Sequence, residues 1–431
     1  MYISQQIAAI AVSQVLSGRN LTLALPNALS SYAKATPQQR GAAADLSYGT
    51  LRFYGEANAY LVKLLEKPLS NEHITALLLV AIYQLLHDKA DDFTVVNQAV
   101  EAASYAKPRW AKGLVNGVLR NFLRQKTLIS QQIQADSKNN EVALYSYPQW
   151  WINKLKSQNP DTWQQILTTG NAHPPMTLRV NTKKTSAKEY VQLLARQDMV
   201  ASQVGQYAVI LEQPIPVEKI PGFAEGVVSV QDYGAQLAAG LLDVQNGMRV
   251  LDACCAPGGK TGHILELNNV ELTALDNDAS RLKRVESNLD RLNLNANLQL
   301  GDASQWQHGH AFDRILADVP CTASGIVRRH VDIKWLRRER DISTFTQQQA
   351  LILANLWQLL AKGGKLLYVT CSIFNEENQQ QIDHFLLKNH DATQLPVALT
   401  NENHQNIQFE RGQLIPNHHH DGLFYALLQK N

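Results

Sequence analysis

Residues 248–261, with the sequence MRVLDACCAPGGKT, indicate the fold of the C-terminal half of the chain. The first part, MRVLDACC, is an apolar run of strand length, and the second part contains the adjacent glycines Gly258 and Gly259. Glycines after a buried strand let the backbone approach a ligand, and the N-terminus of a following helix offers unpaired N–H groups. The stretch therefore predicts a strand, a ligand-binding loop and a helix, in that order.

Strand-like and helical segments alternate after this stretch. The strand-like runs are ELTALD, NLQLGD, FDRILADV and KLLYVTCS. One helical segment begins at Lys260, a second begins at Ala279, and a third includes 351–360. Strands separated by helices at this spacing need right-handed crossovers and favour a parallel sheet covered on both faces. We predict a doubly wound, Rossmann-like α/β domain over residues 234–431.

The preceding part of the chain predicts two further modules. Residues 1–126 contain only helical spacings interrupted by prolines, which predicts an all-α bundle. Its most apolar helix, 74–86, is shorter than the about 20 residues that a bilayer requires, so we interpret it as a buried core helix. The polar segment 127–145 is expected to be a linker. Residues 146–233 combine helical segments with the strand-like runs TLRVN, AVILE and VVSVQD, which predicts a small α+β module.

The composition indicates the cellular environment of the protein but does not identify its partners. The 431 residues include 40 Lys and Arg and 38 Asp and Glu, a formal charge of +2 at pH 7, so any affinity for nucleic acid must come from local patches. Four cysteines, two of them adjacent, do not form the disulfide framework of a secreted domain. No basic segment precedes an apolar run at the N-terminus. We expect a cytoplasmic monomer with reduced thiols and no membrane association.

Three classes of cofactor are candidates for binding at the loop CCAPGGKT, residues 254–261. A dinucleotide fingerprint requires G-x-G-x-x-G, which is absent, and a P-loop requires a leading glycine where Cys254 stands. S-adenosylmethionine instead needs a carboxylate for its ribose hydroxyls, and Asp276 ends the next strand. Asp302 ends the third strand and could hold the adenine amino group. These successive strand ends favour S-adenosylmethionine over ATP. The residues expected to hold it are Cys254, Cys255, Ala256, Pro257, Gly258, Gly259, Lys260, Asp276, Asp302 and Asp318.

The fourth and fifth predicted strands each lead to a cysteine, Cys321 in DVPCTASG and Cys371 in YVTCS. The two are distant in sequence, but neighbouring strand ends at the switch point of such a sheet bring them to one cleft. A single cysteine at a strand end is usually a small buried apolar residue. Two cysteines facing one cofactor loop instead favour a catalytic pair.

Four motifs, LDACCAPGGKT, DVPCTASG, VRRHVDIKW and TCSIFNEEN, resemble those of the RNA cytosine-C5 methyltransferases and follow the same order. The segments VNQAVEAASYA and KGLVNGVLRNFLR resemble the NusB family of RNA-binding helical bundles, which points to bacterial members that act on 16S ribosomal RNA. The resemblance implies methyl transfer from S-adenosylmethionine to C5 of one cytosine in small-subunit ribosomal RNA. Cys255 and Val319 stand where the family commonly has alanine. A tRNA-modifying enzyme and a non-catalytic RNA-binding factor are the alternatives.

The resemblance also implies a role for each thiol. Cytosine C5 is too weak a nucleophile to accept a methyl group unaided, so a thiolate must first add at C6. The RNA enzymes use the cysteine of the Thr-Cys pair, here Cys371, and Cys321 then assists release of the product. DNA cytosine-C5 methyltransferases attack with the cysteine of a Pro-Cys pair, which would be Cys321. Asp318 is expected to bind the exocyclic amine and N3 of the unstacked cytosine.

A basic segment, IVRRHVDIKWLRRERD at 326–341, separates the two cysteine-bearing strands. A solvated helix face commonly explains such a run, but its place beside the predicted base pocket favours contact with the RNA backbone, with Trp335 available to stack. The residues expected to bind RNA are Arg328, Arg329, Lys334, Arg337 and Arg338. The triplet His418, His419 and His420 is expected at the surface, and we expect no metal.

Overall fold

The computed structural model describes residues 2–105, 110–397 and 407–431. The chain forms two compact units, one of Met1–Ala172 with Val327–Glu339 and the other of His173–Ile326 with Arg340–Asn431. The basic segment at 326–341 therefore belongs mainly to the first unit. Every helix in these described ranges is too short or too polar to traverse a bilayer.

All the regular secondary structure in the described residues of the first unit is helical, which confirms the predicted all-α bundle. Helix α5 lies at its centre and is buried along almost its whole length, as its apolar sequence predicts. The helices are α1 (Tyr2–Leu16), α2 (Leu21–Ser30), α3 (Pro37–Arg52), α4 (Tyr54–Leu64), α5 (Glu72–Leu86), α6 (Asp92–Tyr105), α7 (Ala111–Ala135), α8 (Glu141–Tyr145), α9 (Gln149–Gln158), α10 (Trp163–Asn171) and, from the returning segment, α15 (Ile333–Leu336).

Local capping sequences determine where several of these helices begin. Thr36 and Gln39 form a reciprocal capping box at the start of α3, with Pro37 at the first helical position. Asn20 and Asn71 accept hydrogen bonds from the first turns of α2 and α5. Each cap satisfies an N–H group that has no partner within its own helix.

Helix α7 corrects the expected linker at 127–145. The helix continues to Ala135, and α8 follows at Glu141–Tyr145, so most of this segment is helical. Ile129 and Ile133 extend the apolar face that contains Phe122, and all three side chains are buried in the core of the bundle. The polar residues between them form the solvent-facing side of an amphipathic helix. A low apolar content therefore gave the wrong prediction, because two isoleucines at helical spacing are enough to anchor the helix.

The second unit contains a small antiparallel sheet of order β2-β3-β1-β4, which confirms the predicted α+β module. Its elements are β1 (Met176–Val180), α11 (Ala187–Ala195), β2 (Ala201–Gln203), β3 (Ala208–Leu211) and β4 (Val228–Val230). Tyr190 and Leu194 of α11 are buried in the same apolar cluster as Leu178 and Val180 of β1. The helix thus covers one face of the sheet.

A nine-stranded sheet forms the rest of this unit, with the order β11-β12-β13-β9-β8-β5-β6-β7 and β10 beside β13. Its elements are α12 (Tyr233–Leu241), β5 (Arg249–Ala253), α13 (Gly259–Leu267), β6 (Glu271–Asp276), α14 (Ala279–Leu292), β7 (Asn297–Leu300), β8 (Phe312–Asp318), α16 (Asp341–Leu359), β9 (Leu360–Thr370), α17 (Gln379–Lys388), β10 (Ala392–Leu395), β11 (Phe409–Glu410), β12 (Gln413–Leu414) and β13 (Leu423–Lys430).

The five strands from β9 to β7 are parallel and confirm the predicted Rossmann-like arrangement. The strand order reverses between β5 and β8, where such sheets bind ligands at the carboxyl ends of the strands. The sheet is not parallel throughout, because β13 pairs antiparallel with β9. The buried run of β13 predicts a strand but carries no signal for its direction, and antiparallel strands commonly extend parallel sheets.

Candidate active site

The loop between β5 and α13 has the tight conformation that its sequence predicts. Cys254 directly follows β5 with φ of 59°, and Gly258 caps α13 with φ of 92°. A Cβ atom on Gly258 would lie 3.0 Å from Cγ1 of Val285. Both the positive φ and the lack of space favour glycine at this position. The backbone of the loop is thereby held at the carboxyl edge of the sheet.

Asp276, the last residue of β6, fastens this loop to the next strand. Its Oδ2 accepts a hydrogen bond from the N–H of Ala256 at 3.1 Å. Arg281 donates to the carbonyl oxygen of Ala256 at 2.9 Å, and its Nη1 lies 3.6 Å from Oδ1 of Asp276. Arg281 was not among the predicted site residues, although it stands in the first turn of the helix after Asp276. The acid therefore supports the loop and also lies at its ligand-facing edge.

A cleft of about 290 Å³ opens at the carboxyl ends of β5, β6, β7, β8 and β9. Its volume is close to the about 300 Å³ at the lower end of small-molecule sites. Carboxylates at several points of the lining suit a ligand with hydroxyl and amino groups. The lining residues are Cys254, Ala256, Leu275, Asp276, Asn277, Arg281, Gly301, Asp302, Ala303, Asp318, Val319, Pro320, Cys321, Ala323, Gln348, Ile352 and Cys371.

Half of the predicted cofactor residues line this cleft and half support it from outside. Cys254, Ala256, Asp276, Asp302 and Asp318 are in the lining, whereas Cys255, Pro257, Gly258, Gly259 and Lys260 are not among the residues that form it. Burial raises the pKa of Cys254 to about 12, so this thiol keeps its proton near neutral pH. The cleft therefore has room and hydrogen-bonding groups for a nucleoside, and Cys254 contributes to its wall as a neutral group.

Lys260 contacts the cleft indirectly, through Asp318. Its Nζ lies 2.6 Å from Oδ2 of Asp318, the last residue of β8. Burial disfavours the charged form of Lys260, but the Asp318 carboxylate outweighs this effect and raises the pKa of the amine. The lysine therefore stays charged and orients a carboxylate toward the cleft.

The two predicted catalytic cysteines meet at the edge of this cleft. Their sulfur atoms are 3.4 Å apart, and the Gly325 N–H donates to the carbonyl oxygen of Cys371 at 2.8 Å, which joins the two loops. The hydrogen bond to Cys371 and burial together raise the pKa of the Cys321 thiol well above its usual range. Cys321 is buried and Cys371 is partly exposed. The arrangement forms a thiol pair in which Cys321 keeps its proton and Cys371 is the more accessible sulfur.

A buried polar cluster behind the thiol pair was missed by sequence analysis. It consists of Thr322, Ser324, Gln349, Ser372 and Glu377, all buried and joined by hydrogen bonds. Four of these residues lie in the motifs DVPCTASG and TCSIFNEEN. The available signal in the sequence was the concentration of small hydroxyl residues next to each cysteine.

The basic segment is placed differently from the prediction for Arg328 and Lys334. Both side chains are buried inside the helical unit, and Lys334 is 0% exposed. The Nζ of Lys334 donates to the carbonyl oxygen of Arg52 and to Oδ1 of Asn171, each at 2.7 Å. Burial lowers the pKa of Lys334 well below its usual range. The prediction that these two residues grip RNA is therefore wrong, because both side chains are buried and the Lys334 amine donates within the helical unit.

Other expectations for surface residues divide in the same way. Trp335 donates from its indole nitrogen to the carbonyl oxygen of Leu51 and packs against Tyr54, so it is not an open stacking platform. Arg338 is exposed, and Arg329 and Arg337 are partly exposed. These three arginines are the part of the predicted RNA-binding set that solvent reaches.

The expectation that His418, His419 and His420 all lie at the surface is wrong for one of them. His420 is buried, and its Nε2 lies 2.9 Å from the Asn417 side-chain nitrogen. Within the described ranges, no group of three or more His, Cys, Asp or Glu side chains is arranged to hold a metal ion.

Comparison with known families finds three matches along the chain. The model of the 16S rRNA methyltransferase RsmB/F family matches residues 239–429, the RsmF/B-like ferredoxin-like domain matches 147–218, and the NusB family matches 3–124. These matches confirm the resemblance to NusB.

Relatives and solved structures agree with these matches. Ribosomal RNA small subunit methyltransferase B of Pseudomonas syringae pv. tomato is 40% identical over 98% of this chain and 96% of its own length. The probable enzyme of the same name from Coxiella burnetii is 42% identical over 90% and 91% of the two chains. A methyltransferase homologue from Pyrococcus horikoshii is 28% identical, with a TM-score of 0.58 over 69% of this chain and 99% of its own. NSun6 from Pyrococcus horikoshii with SFG shares the fold at 19% identity, with a TM-score of 0.59 over 67% and 99%. Because the bacterial relatives match at such identity along nearly the whole chain, the chain belongs to the RsmB/F family of 16S rRNA methyltransferases.

Proposed function

We propose that this chain methylates C5 of one cytosine in 16S ribosomal RNA, through a covalent bond between the Cys371 sulfur and C6 of the base. The single observation that carries the proposal is the contact between the sulfurs of Cys371 and Cys321, 3.4 Å apart in the lining of the cleft. S-adenosylmethionine is the cofactor and supplies the methyl group as an electrophile.

The cleft contains groups that suit S-adenosylmethionine. Asp276 ends β6 and Asp302 lies two residues after the end of β7, and both provide carboxylate oxygens for the hydroxyl and amino groups of a nucleoside. Cys254 and Ala256 contribute the wall formed by the glycine loop. The same cleft reaches the thiol pair, which favours a methyl donor next to the base to be modified.

The two thiols differ in a way that supports Cys371 as the nucleophile. Cys321 retains its proton because burial and its hydrogen bond to Cys371 hold its pKa high. Cys371 is the more accessible sulfur, and the charged Lys260 interacts with it electrostatically. Cys371 is therefore the better candidate for attack on C6.

The attack prepares C5 for methylation. The electron pair of the Cys371 thiolate forms the S–C6 bond, and electrons of the C5–C6 double bond move to the ring carbonyl and N3, so that C5 becomes enamine-like. C5 would then bond to the methyl group as the S–CH3 bond of the bound sulfonium donor breaks and leaves a thioether. The C5 proton passes to water, its electron pair restores the C5–C6 double bond, and the S–C6 pair returns to Cys371 as a thiolate. We assign assistance of this release to Cys321.

Asp318 provides the group that orients the base. Its carboxylate is held by Lys260 and faces the cleft, where it can accept a hydrogen bond from the exocyclic amine of cytosine. A base must leave its stack to reach such a pocket. The solvent-accessible arginines Arg329, Arg337 and Arg338 are our candidates for contacts with RNA phosphates.

Mapping 5-methylcytosine in ribosomal RNA by bisulfite sequencing tests the function. A strain that lacks this protein should lose one 5-methylcytosine of 16S ribosomal RNA, and wild-type protein should restore it. Cys371→Ala should not restore it, whereas Lys362→Ala, an exposed residue of β9, should do so. If the strain that lacks the protein kept every 5-methylcytosine of its ribosomal RNA, the proposal would be contradicted. Loss of a 5-methylcytosine from tRNA instead would show that tRNA is the substrate.

A further inference from the structure

The two cysteine loops share one buried carboxylate. Glu377 is 0% exposed, and its Oε2 accepts hydrogen bonds from the hydroxyls of Thr322 and Ser372, each at 2.5 Å. Its Oε1 accepts the backbone N–H of Thr322 at 2.8 Å. Thr322 directly follows Cys321, and Ser372 directly follows Cys371. A single side chain is thus bonded to the residue next to each thiol.

Gln349 of α16 completes the environment of this carboxylate. Its Nε2 lies 3.1 Å from Oε1 of Glu377 and 3.0 Å from the carbonyl oxygen of Pro320. Pro320 precedes Cys321, so Cys321 has a fixed neighbour on each side. Gln349 is itself 0% exposed, which keeps water from competing for these bonds.

The number and kind of donors match an ionised carboxylate. Two carboxylate oxygens can accept about four hydrogen bonds and donate none, and Glu377 receives four from neutral groups. A glutamine in its place would direct an NH₂ group at hydroxyls that now donate to it. At least part of the cluster would then have to reverse or lose its bonds.

Further bonds between the loops depend on the same hydroxyls. Ser324 and Ser372 oxygens are 2.9 Å apart, and the N–H of Ile373 donates to the Ser324 hydroxyl at 2.9 Å. Because Ser372 donates to Glu377, its oxygen is free to accept from Ser324. The carboxylate can only accept, so it determines which hydroxyl donates and which accepts in the hydrogen bonds between the two loops.

We propose that Glu377 is a positioning residue that holds the Cys321 and Cys371 sulfurs in contact by fixing Thr322 and Ser372. Its effect on the free protein is independent of the proposed function, whereas its effect on catalysis rests on that function. A side chain that only filled the core would not need bonds to both cysteine loops.

Disulfide formation measures this positioning without any RNA. The azo oxidant diamide takes two electrons and two protons from the pair of thiols, which form one disulfide while diamide becomes a hydrazine. Quenching with iodoacetamide and mass spectrometry of the peptides that contain Cys321 and Cys371 give the rate of closure. The rate depends on how often the two sulfurs are in contact.

Glu377→Ala should slow closure by about tenfold or more, since small misplacements of reacting atoms have large effects on rate. Glu377→Gln should give an intermediate rate, because its carbonyl oxygen can still accept from the Thr322 N–H. Glu376→Gln, at the preceding and partly exposed glutamate, is the matched control and should close at the wild-type rate. Thermal unfolding and binding of S-adenosylmethionine identify the variants that are folded.

Closure at the wild-type rate in folded Glu377→Ala would overturn the proposal. If Glu377→Ala does not fold, Glu377→Gln decides, and a wild-type rate in that variant has the same consequence. In methylation assays, Glu377→Gln should lower kcat and leave KM for RNA unchanged, and the reverse pattern would also contradict positioning. Wild-type protein that makes no 5-methylcytosine would refute the proposed function, while the disulfide rates would still test Glu377.

Discussion

The buried ion pair between Arg179 of β1 and Glu266 of α13 provides a quantitative test of how the small sheet supports the cofactor loop. The side chains are 0% and 1% exposed. Two parallel bonds join them, from Nε to Oε2 at 2.8 Å and from Nη2 to Oε1 at 2.7 Å. The Nη1 of Arg179 also donates to the Gly259 carbonyl and to Oε1 of Gln231, each at 2.5 Å. Because Gly259 is the first residue of α13, the pair stabilises the helix behind the loop.

The expected magnitude follows from burial of the two charges. Glu266→Leu leaves a guanidinium buried without its counter-charge, which costs about 3–5 kcal/mol of unfolding free energy. Arg179→Met should cost about 3 kcal/mol or more, although the remaining carboxyl can take up a proton. The double variant leaves no isolated charge, and its cost is the loss of donors to Gly259 and Gln231, about 3 kcal/mol or less in total. The sum of the two single losses therefore exceeds the double loss by about 3 kcal/mol or more.

Scanning calorimetry measures these losses in the intact chain. The transition that moves upward on addition of S-adenosylmethionine belongs to the unit that contains the cleft. For a unit of this size, a loss of 3–5 kcal/mol should lower its Tm by about 6–20 °C. Equal losses for the double variant and for the sum of the single variants would refute the reasoning. So would a cost below about 1 kcal/mol for Glu266→Leu, the value typical of an exposed ion pair.

Three further predictions concern the site and the RNA surface. Burial raises the pKa of Asp252 to about 7, so the stability that its proton provides is complete below the unfolded pKa of 3.8 and is lost as pH rises through about 7. Asp252→Asn should therefore show a smaller fall in Tm over this pH range than the wild-type protein. Parallel curves of Tm against pH for the two proteins would contradict this prediction. Asp276→Asn should weaken binding of S-adenosylmethionine by about 10–100-fold in calorimetric titration, the effect of one charged hydrogen bond, and an unchanged Kd would remove Asp276 from the cofactor site. Arg338→Ala should lower the slope of log K for RNA binding against log salt concentration by about one phosphate contact, whereas Lys334→Met should leave this slope unchanged. A lower slope for Lys334→Met would mean that Lys334 contacts RNA after all.

The sheet and the cofactor loop could be predicted because their signals are local. Gly258 stands where φ is positive and a Cβ atom has little room, Asp276 and Asp318 end apolar runs, and a doubly wound topology places strand ends at one edge. The proximity of Cys321 and Cys371 followed from topology in the same way. These inferences needed only the order of strands and the residues at their ends.

Other features depend on partners that are distant in sequence. A lysine in a basic run gives no local sign of burial, yet Lys334 is enclosed because Arg52 and Asn171 supply acceptors. Glu377 was missed for a similar reason, since Thr322 lies 55 residues earlier in the chain. Direction in an apolar strand such as β13 is also set by its neighbour and not by its own pattern. Such interactions become visible only in the folded chain.

The most direct measurement identifies the sulfur that bonds to RNA. A 16S ribosomal RNA fragment with 5-fluorocytosine at the target traps the adduct, because fluorine at C5 cannot leave as a proton does. With S-adenosylmethionine present, mass spectrometry of the digested complex should find the nucleotide on the peptide that contains Cys371, and Cys371→Ala should form no complex. Attachment at Cys321, or no adduct in protein that methylates the unmodified fragment, would contradict the account.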